Sequence, residues 1–153
     1  MLRDVVEDDL PTFFEHQRDE EAISMAVFPA REWDAFITHW RQNVLGNSAN
    51  EARTILVDDN VAGYVASWEQ DGRRLVAYWV GREYWGRGVA RSALDEFLRI
   101  HERHRPIHAY VALSNTRSIR VLEKCGFQRA GEPVVHSNGV AEVLFQFDDA
   151  IGA

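Results

Sequence analysis

Apolar positions along the chain follow two periods. Up to residue 45 they recur every three to four: Leu10, Phe13 and Phe14, then Trp33, Phe36, Ile37 and Trp40. That spacing predicts one helix from a cap at Asp8 or Asp9 to about Arg18 and a second over Glu32 to Val44. The stretch Gly46-Asn47-Ser48-Ala49-Asn50 reads as a loop. From Thr54 the pattern shortens. Thr54–Val57, Val61–Glu69 and Arg74–Val80 are β-branched or aromatic runs, separated by Asp58-Asp59-Asn60 and by the hairpin dipeptide Asp71-Gly72. Three antiparallel strands are expected there. After Tyr84 the helical period returns, and Val89, Ala90, Ala93, Leu94, Phe97 and Leu98 form one stripe of a helix from Gly88 to Glu102. A strand over Ile107–Leu113 follows, and strand, helix, strand implies a right-handed parallel crossover. Asn115 caps a short helix that Gly126 ends, with Ile119, Leu122 and Cys125 on its inner side. Strands over Phe127–Val135 and Val140–Phe147, joined at Ser137-Asn138-Gly139, close the chain. The result is a mixed α/β sheet flanked by helices, in one domain covering residues 1–153.

Composition narrows the class. The chain is 46% apolar and 27% charged, ordinary globular usage that excludes disorder and collagen-like structure. Its apolar runs are too short to span a bilayer, and its acidic start is no secretory signal. One cysteine, Cys125, excludes an intrachain disulfide and a cysteine-rich zinc site. A soluble cytoplasmic protein is expected. Residues 1–40 hold three arginines against ten carboxylates, which is the whole of the net charge of −7. No basic face marks a nucleic-acid binder. The acidic segment either faces a ligand and attracts cations or is a solvated face. His101, His104 and His108 stand among Arg103, Arg105 and Pro106 at a helix end, without a cysteine, and no metal site is assigned.

The chemistry concentrates in Tyr78-Trp79-Val80-Gly81-Arg82-Glu83-Tyr84-Trp85-Gly86-Arg87-Gly88-Val89-Ala90-Arg91. A strand ends and a glycine-rich loop opens onto a long helix. Gly86 and Gly88 let main-chain N–H groups approach a ligand, the helix N-terminus adds unpaired donors, and Arg87 and Arg91 add cations. The ensemble suits a pyrophosphate. It is not the dinucleotide fingerprint, because Arg91 stands at the third glycine's place, and no Gly-Lys-Ser/Thr follows as in a P-loop.

This segment, followed by Asn115-Thr116-Arg117-Ser118-Ile119-Arg120-Val121-Leu122-Glu123-Lys124-Cys125-Gly126-Phe127, resembles the GNAT superfamily of acyl-CoA-dependent N-acyltransferases, and within it the RimJ/RimL-like branch. In the family frame Q/R-x-x-G-x-G/A, Gly88 and Ala90 match and Trp85 replaces Gln or Arg. The resemblance implies a splayed sheet in which the strand ending at Trp79, Val80 and Gly81 bulges away from Ile107–Leu113. The pantetheine arm of acetyl-CoA would bond the main chain of those three residues. The main chain of Arg87, Gly88, Val89, Ala90 and Arg91 would hold the pyrophosphate, with Trp85 and Gly86 also among the cofactor-binding residues. Asn115 would touch the arm, and Ser118 would lie near the thiol. An amine then attacks the thioester directly, with strand N–H groups stabilising the developing oxyanion. Relatives often pair as homodimers.

Two departures leave the catalytic groups open. The family's proton-donating tyrosine, four residues before Gly-Phe, is Leu122 here. Ser118 is the nearest hydroxyl, equally readable as a first-turn helix serine. The family's strand glutamate is also missing, since Arg74 and Tyr110 occupy the matching places. Tyr110 and Glu69 remain as candidates. In the family the two N-terminal helices border the acceptor, so Phe28, Trp33 and His39 are candidate lining residues. The acidic first quarter then suggests a cationic amine: a protein N-terminus, a polyamine-like molecule or an aminoglycoside. A non-catalytic CoA-binding or sensing module and a plain nucleotide-binding domain are the competing classes.

Overall fold

The computed structural model describes residues 1–26 and 30–148. Strand β1 (Leu2–Asp4) leads through a short 3-10 turn (Glu7–Asp9) into α1 (Leu10–Gln17) and α2 (Glu20–Ala26). Helix α3 (Trp33–Thr38) continues as a wider π-type turn over His39–Val44. Three strands follow: β2 (Glu51–Val57), β3 (Asn60–Gln70) and β4 (Arg73–Val80). A 3-10 turn (Arg82–Tyr84) leads to α4 (Val89–Glu96), itself extended by a π-type turn over Phe97–His101. Then come β5 (Ile107–Ala112), α5 (Thr116–Lys124), β6 (Gln128–Arg129), β7 (Val134–Val135) and β8 (Ala141–Phe147). The strand order is β1-β2-β3-β4-β5-β8-β6, with β7 also on β8. Among the described residues no helix is long and apolar enough to cross a membrane.

Local sequence explains the hairpins. Val57 pairs with Asn60 and Gln70 with Arg73, so each turn has two central residues. Asp58, Asp59, Asp71 and Gly72 all take positive φ, as a twist-matched two-residue turn requires. Side chains alternate across the sheet. One face carries Val65, Val76, Ile107, Ala109, Val111, Val143 and Phe145 against Leu94, Phe97, Leu98 and Leu122 of the α4 and α5 segments. The other packs Tyr64 against Leu10, Phe13, Phe36, Ile37 and Trp40.

Three local expectations change. Asp9 does not cap α1 with its side chain. Its buried carboxylate instead accepts from Arg3 (2.7 Å), the Thr54 hydroxyl (2.7 Å) and the Val6 amide (2.9 Å), fastening β1, α1 and β2 together. Helix α2 was not expected. It is short, but Glu20 and Glu21 in its first turn suit the helix dipole. The expected strand Phe127–Val135 is two short pieces, because Pro133 between them cannot donate to a ladder.

A buried polar knot ties β3, β4 and the end of the α4 segment. Glu102 accepts from Ser67 (2.5 Å), from Arg74 Nε (2.7 Å) and from the His104 amide (3.1 Å). Arg74 also reaches the Ala49 carbonyl (2.7 Å). Burial pushes the Glu102 carboxyl up, but the hydrogen bonds from Ser67, Arg74 and His104 outweigh burial and hold it below the ordinary carboxylate value. A depressed folded value makes this stabilisation complete above the unfolded value near 4.5, and it is lost as pH falls through the folded one. Glu102→Ala should cost about 3–5 kcal/mol in urea unfolding at neutral pH, because it strands the Arg74 charge. Glu102→Gln should flatten the acid side of the stability–pH curve.

Candidate active site

Strands β4 and β5 run parallel but bridge only at Leu75 and His108, then part. Pairing of β4 with β3 is unbroken from Arg73 to Val80, so the strand diverges from β5 without the expected bulge. Which main-chain groups face the gap follows from register. The Gly81 amide donates to the Ala62 carbonyl at 2.8 Å, and Gln70 and Arg73 close the hairpin. Odd-numbered β4 residues therefore turn their N–H and C=O toward β3, and even-numbered ones turn toward β5. Tyr78 and Val80, rather than Trp79 and Gly81, present main chain to the gap. The Val80 carbonyl accepts from the Trp85 indole at 2.9 Å. Gly63 permits this arrangement, since a Cβ there would stand 2.0 Å from the Trp79 carbonyl oxygen.

The gap opens into a cleft of about 320 Å³. Gly86 (φ 79°) and Gly88 (φ 74°) make the loop's left-handed turns, and a Cβ on either would meet nothing within 4 Å. Space therefore remains on that side for a ligand. Gly88 caps α4, whose first internal bond runs from Ser92 N to Gly88 O at 3.0 Å. The amides of Val89, Ala90 and Arg91 thus have no partner within the helix, and all three residues line the cleft. The opposite wall is α5, with Arg117, Ser118, Arg120 and Lys124. The Arg117 guanidinium lies 4.9 Å over the Trp85 ring.

Most of the expected cofactor residues converge here: Trp79, Val80, Trp85, Gly86, Gly88, Val89, Ala90, Arg91, Asn115 and Ser118 all line the cleft. Gly81 and Arg87 do not: Gly81 is buried against the His16 ring, and Arg87 is exposed and lies 5.6 Å over the Tyr84 ring. Asn115 Oδ1 accepts from the Ser118 amide (3.2 Å), the expected cap of α5. Leu122 is buried at 2% exposure and points into the core. Sequence reasoning missed two features. Arg117, Arg120 and Lys124 stand three and four residues apart on α5, a helical stripe of cations that the spacing alone signals. Tyr78 places its hydroxyl 2.7 Å from Ser118 Oγ, a contact only the fold creates.

A second cavity of about 600 Å³ lies between the α1 and α3 segments and β3–β4. Trp79 lines both spaces. His39 and Glu69 line this cavity, with Phe13, Trp40, Tyr64 and Trp68 as aromatic wall and Arg31 as a cation. Burial, with help from Arg31, holds the His39 imidazole below its ordinary value, and burial pushes the Tyr64 phenol up to about 12. Glu69 is exposed at the end of β3. Trp33 packs edge-on against Phe14 at 5.1 Å and does not line the cavity. Tyr110 lies across from Leu144 at 46% exposure and lines neither space. Phe28 lies outside the described residues. No three His, Cys, Asp or Glu side chains gather as a metal set among the described residues.

A parallel pair opened beside a glycine turn and a cationic helix wall defines an acyl-CoA-binding transferase fold. The chain belongs to the GNAT acetyltransferase domain family, whose model matches residues 1–128. With that come transferase chemistry and acetyl-CoA as acetyl donor. The narrower RimJ/RimL-like resemblance is not carried by the comparisons. Among solved structures, a spermidine N-acetyltransferase from Vibrio cholerae in complex with CoA and spermine superposes with a TM-score of 0.83 at 17% identity, over 98% of this chain and 95% of that one. The aminoglycoside acetyltransferase AAC(6')-Ib in complex with coenzyme A and kanamycin gives 0.77 at 23% identity, over 98% and 95%. A GNAT-family acetyltransferase from Bacillus anthracis gives 0.77 at 17%, over 97% and 94%. No curated protein matches the chain in sequence.

Two glycines separate crowding from conformation. Gly63→Ala should cost about 1–3 kcal/mol by overpacking and weaken CoA binding, because β4 must move away from β3. Gly88→Ala should cost about 1–2 kcal/mol, from the left-handed backbone alone. Urea midpoints and CoA titration of the two variants check this.

Proposed function

We propose that the chain transfers the acetyl group of acetyl-CoA to a primary amine by direct attack, with both substrates bound at once. Trp79 supports this reading more than any other residue: it stands between the cationic cleft and the aromatic cavity, beside the strand positions whose main chain faces the β4–β5 gap. Acetyl-CoA supplies an activated thioester. The chain's own groups do the rest. Arg91, Arg117, Arg120, Lys124 and the α4 N-terminus would hold the phosphates. The Tyr78 and Val80 amides would steady charge developing on the thioester oxygen. Ser118 would serve the sulfur side. Glu69, at the rim of the acceptor cavity, would take a proton from the incoming ammonium through water; Tyr110 has no place in that path.

The acceptor reading is a small amine. A cavity of about 600 Å³ walled by aromatic rings suits a compact molecule better than a protein N-terminus. The ligands bound in two structural neighbours, spermine and kanamycin, are small amines as well. We take residues 1–153 as one domain and the cytoplasm as its compartment, in keeping with a single half-buried thiol. Homodimer pairing stays part of the proposal, with Val134 and Val135 on β7 exposed at 59% and 68%. The competing sensor reading draws on Leu122 and Arg74, which stand where the resemblance expects a donor and a carboxylate.

CoA release measured over a panel of polyamines, aminoglycosides, arylalkylamines and peptide N-termini decides between them. Turnover on at least one amine is expected, and CoA binding without any turnover would favour the sensor. Arg91→Glu should weaken CoA binding at least about tenfold, the equivalent of one charge-assisted hydrogen bond. Unchanged affinity would remove the phosphate assignment.

A further inference from the structure

We propose that Tyr78 is a positioning residue for Ser118: its phenol donates to Ser118 Oγ, so that the serine's own hydrogen is turned into the β4–β5 gap, toward the sulfur that departs. The proposal rests on the acetyl-transfer reading. Ser118 is held at two points. Its amide donates to Asn115 Oδ1 at 3.2 Å, which fixes the backbone, and its Oγ lies 2.7 Å from the Tyr78 hydroxyl. Either oxygen is geometrically able to donate, but a phenol is a far stronger acid than an alcohol and is the better donor. A serine oxygen that accepts from Tyr78 keeps its hydrogen for a third partner. Both residues line the cleft. The helix position where the resemblance expects a phenol holds Leu122, 2% exposed. Strand β4 brings a phenol to the same helix from the sheet side.

Magnitudes decide what the pair does. Burial pushes the Tyr78 phenol up to about 12, above the range of a free thiol. Passing a proton from this phenol to a thiolate would be uphill. The pair therefore keeps its protons and acts by hydrogen bonding. The amine nitrogen bonds the carbonyl carbon, the C–S bond breaks with its electron pair on sulfur, and the thiolate leaves while accepting the Ser118 hydrogen bond. Water then protonates the sulfur, and water or the rim carboxylate takes the surplus ammonium proton. Arg91 on α4, with Arg117, Arg120 and Lys124 on α5, also favours a thiolate in this cleft, and Cys125 lies near the Tyr78 phenol. The test therefore compares variants that leave all of these in place.

CoA itself is the probe. Its bound thiol, followed by thiolate ultraviolet absorbance against pH, should titrate below that of free CoA, measured alongside, in the wild type. The value should rise by the same amount in Tyr78→Phe, Ser118→Ala and the double variant. Acetyl-transfer kcat should fall about tenfold in Tyr78→Phe, with the KM for acetyl-CoA within about twofold. The double variant should fall no further than Ser118→Ala, since the two act as one unit. Unchanged thiol titration in Tyr78→Phe, or losses that multiply, would overturn the proposal. Should Tyr78→Phe not fold, the Ser118→Ala titration decides, because that site is on the helix surface. A wild type that binds CoA yet acetylates no amine would sink the acetyl-transfer reading alone; the thiol titration would still judge the Tyr78–Ser118 pair.

Discussion

The working geometry depends on a parallel strand pair that is closed at one end and open at the other. The closed end is Leu75 against His108, and the buried knot of Ser67, Arg74 and Glu102 sits directly at it. Arg74 is the neighbour of Leu75 on β4, while Glu102 ends the segment that leads into β5. Their ion pair joins the two arms where they meet. Taking two charges out of water is costly, and an apolar replacement is often as stable. What the pair adds is a fixed position: it closes the vertex without drawing the far ends of β4 and β5 together.

Main-chain groups at the open end must find other partners, because unpaired buried N–H and C=O groups are rare. The Val80 carbonyl has found one in the Trp85 indole. This explains the departure at Trp85 from the Gln or Arg of the family frame. The indole donates to the end of the strand, and its face carries the Arg117 guanidinium of the opposite wall. One side chain thus links strand, loop and α5 across the mouth of the cleft.

Much of this was legible in the residues, for local reasons. Asp71-Gly72 announces its hairpin because few residues tolerate two consecutive positive φ angles. The loop from Trp85 to Arg91 announces itself because a glycine pair between strand and helix has few other uses. Asn115 is a cap by residue type and position alone. The unread part is long-range. Asp9 has the right type and place for a cap, and only the fold brings Arg3 and Thr54 close enough to claim it. Tyr78 reads as an ordinary strand aromatic until α5 is laid across it. Tyr110 and Glu69 fell on plausible strand positions, but Tyr110, although on the sheet face of Ala77 and Trp79, is one strand over on β5 and lines neither space, while Glu69 reaches the rim from the end of β3.

The charge distribution takes on a different meaning in three dimensions. An excess of carboxylates in the first forty residues suggested a field aimed at a cationic acceptor. Six of those ten acids are tied to arginines: Asp4 to Arg53, Glu7 to Arg41, Asp9 to Arg3, Glu15 to Arg18, and Asp19 and Glu21 both to Arg82. Apart from the one at the buried Asp9, exposed pairs of this kind contribute little each. Their placement matters more than their strength. Asp4 and Asp9 fasten the N-terminal segment to the sheet through Arg53 and Arg3, and Arg82 ties the α1–α2 junction to the turn that opens the glycine loop. Among the described residues the second cavity itself carries one carboxylate, Glu69, and one guanidinium, Arg31. Under the proposed function, selection among amines would fall to the aromatic walls and to the reach from Trp79 to the rim, with net charge acting mainly on the rate of encounter.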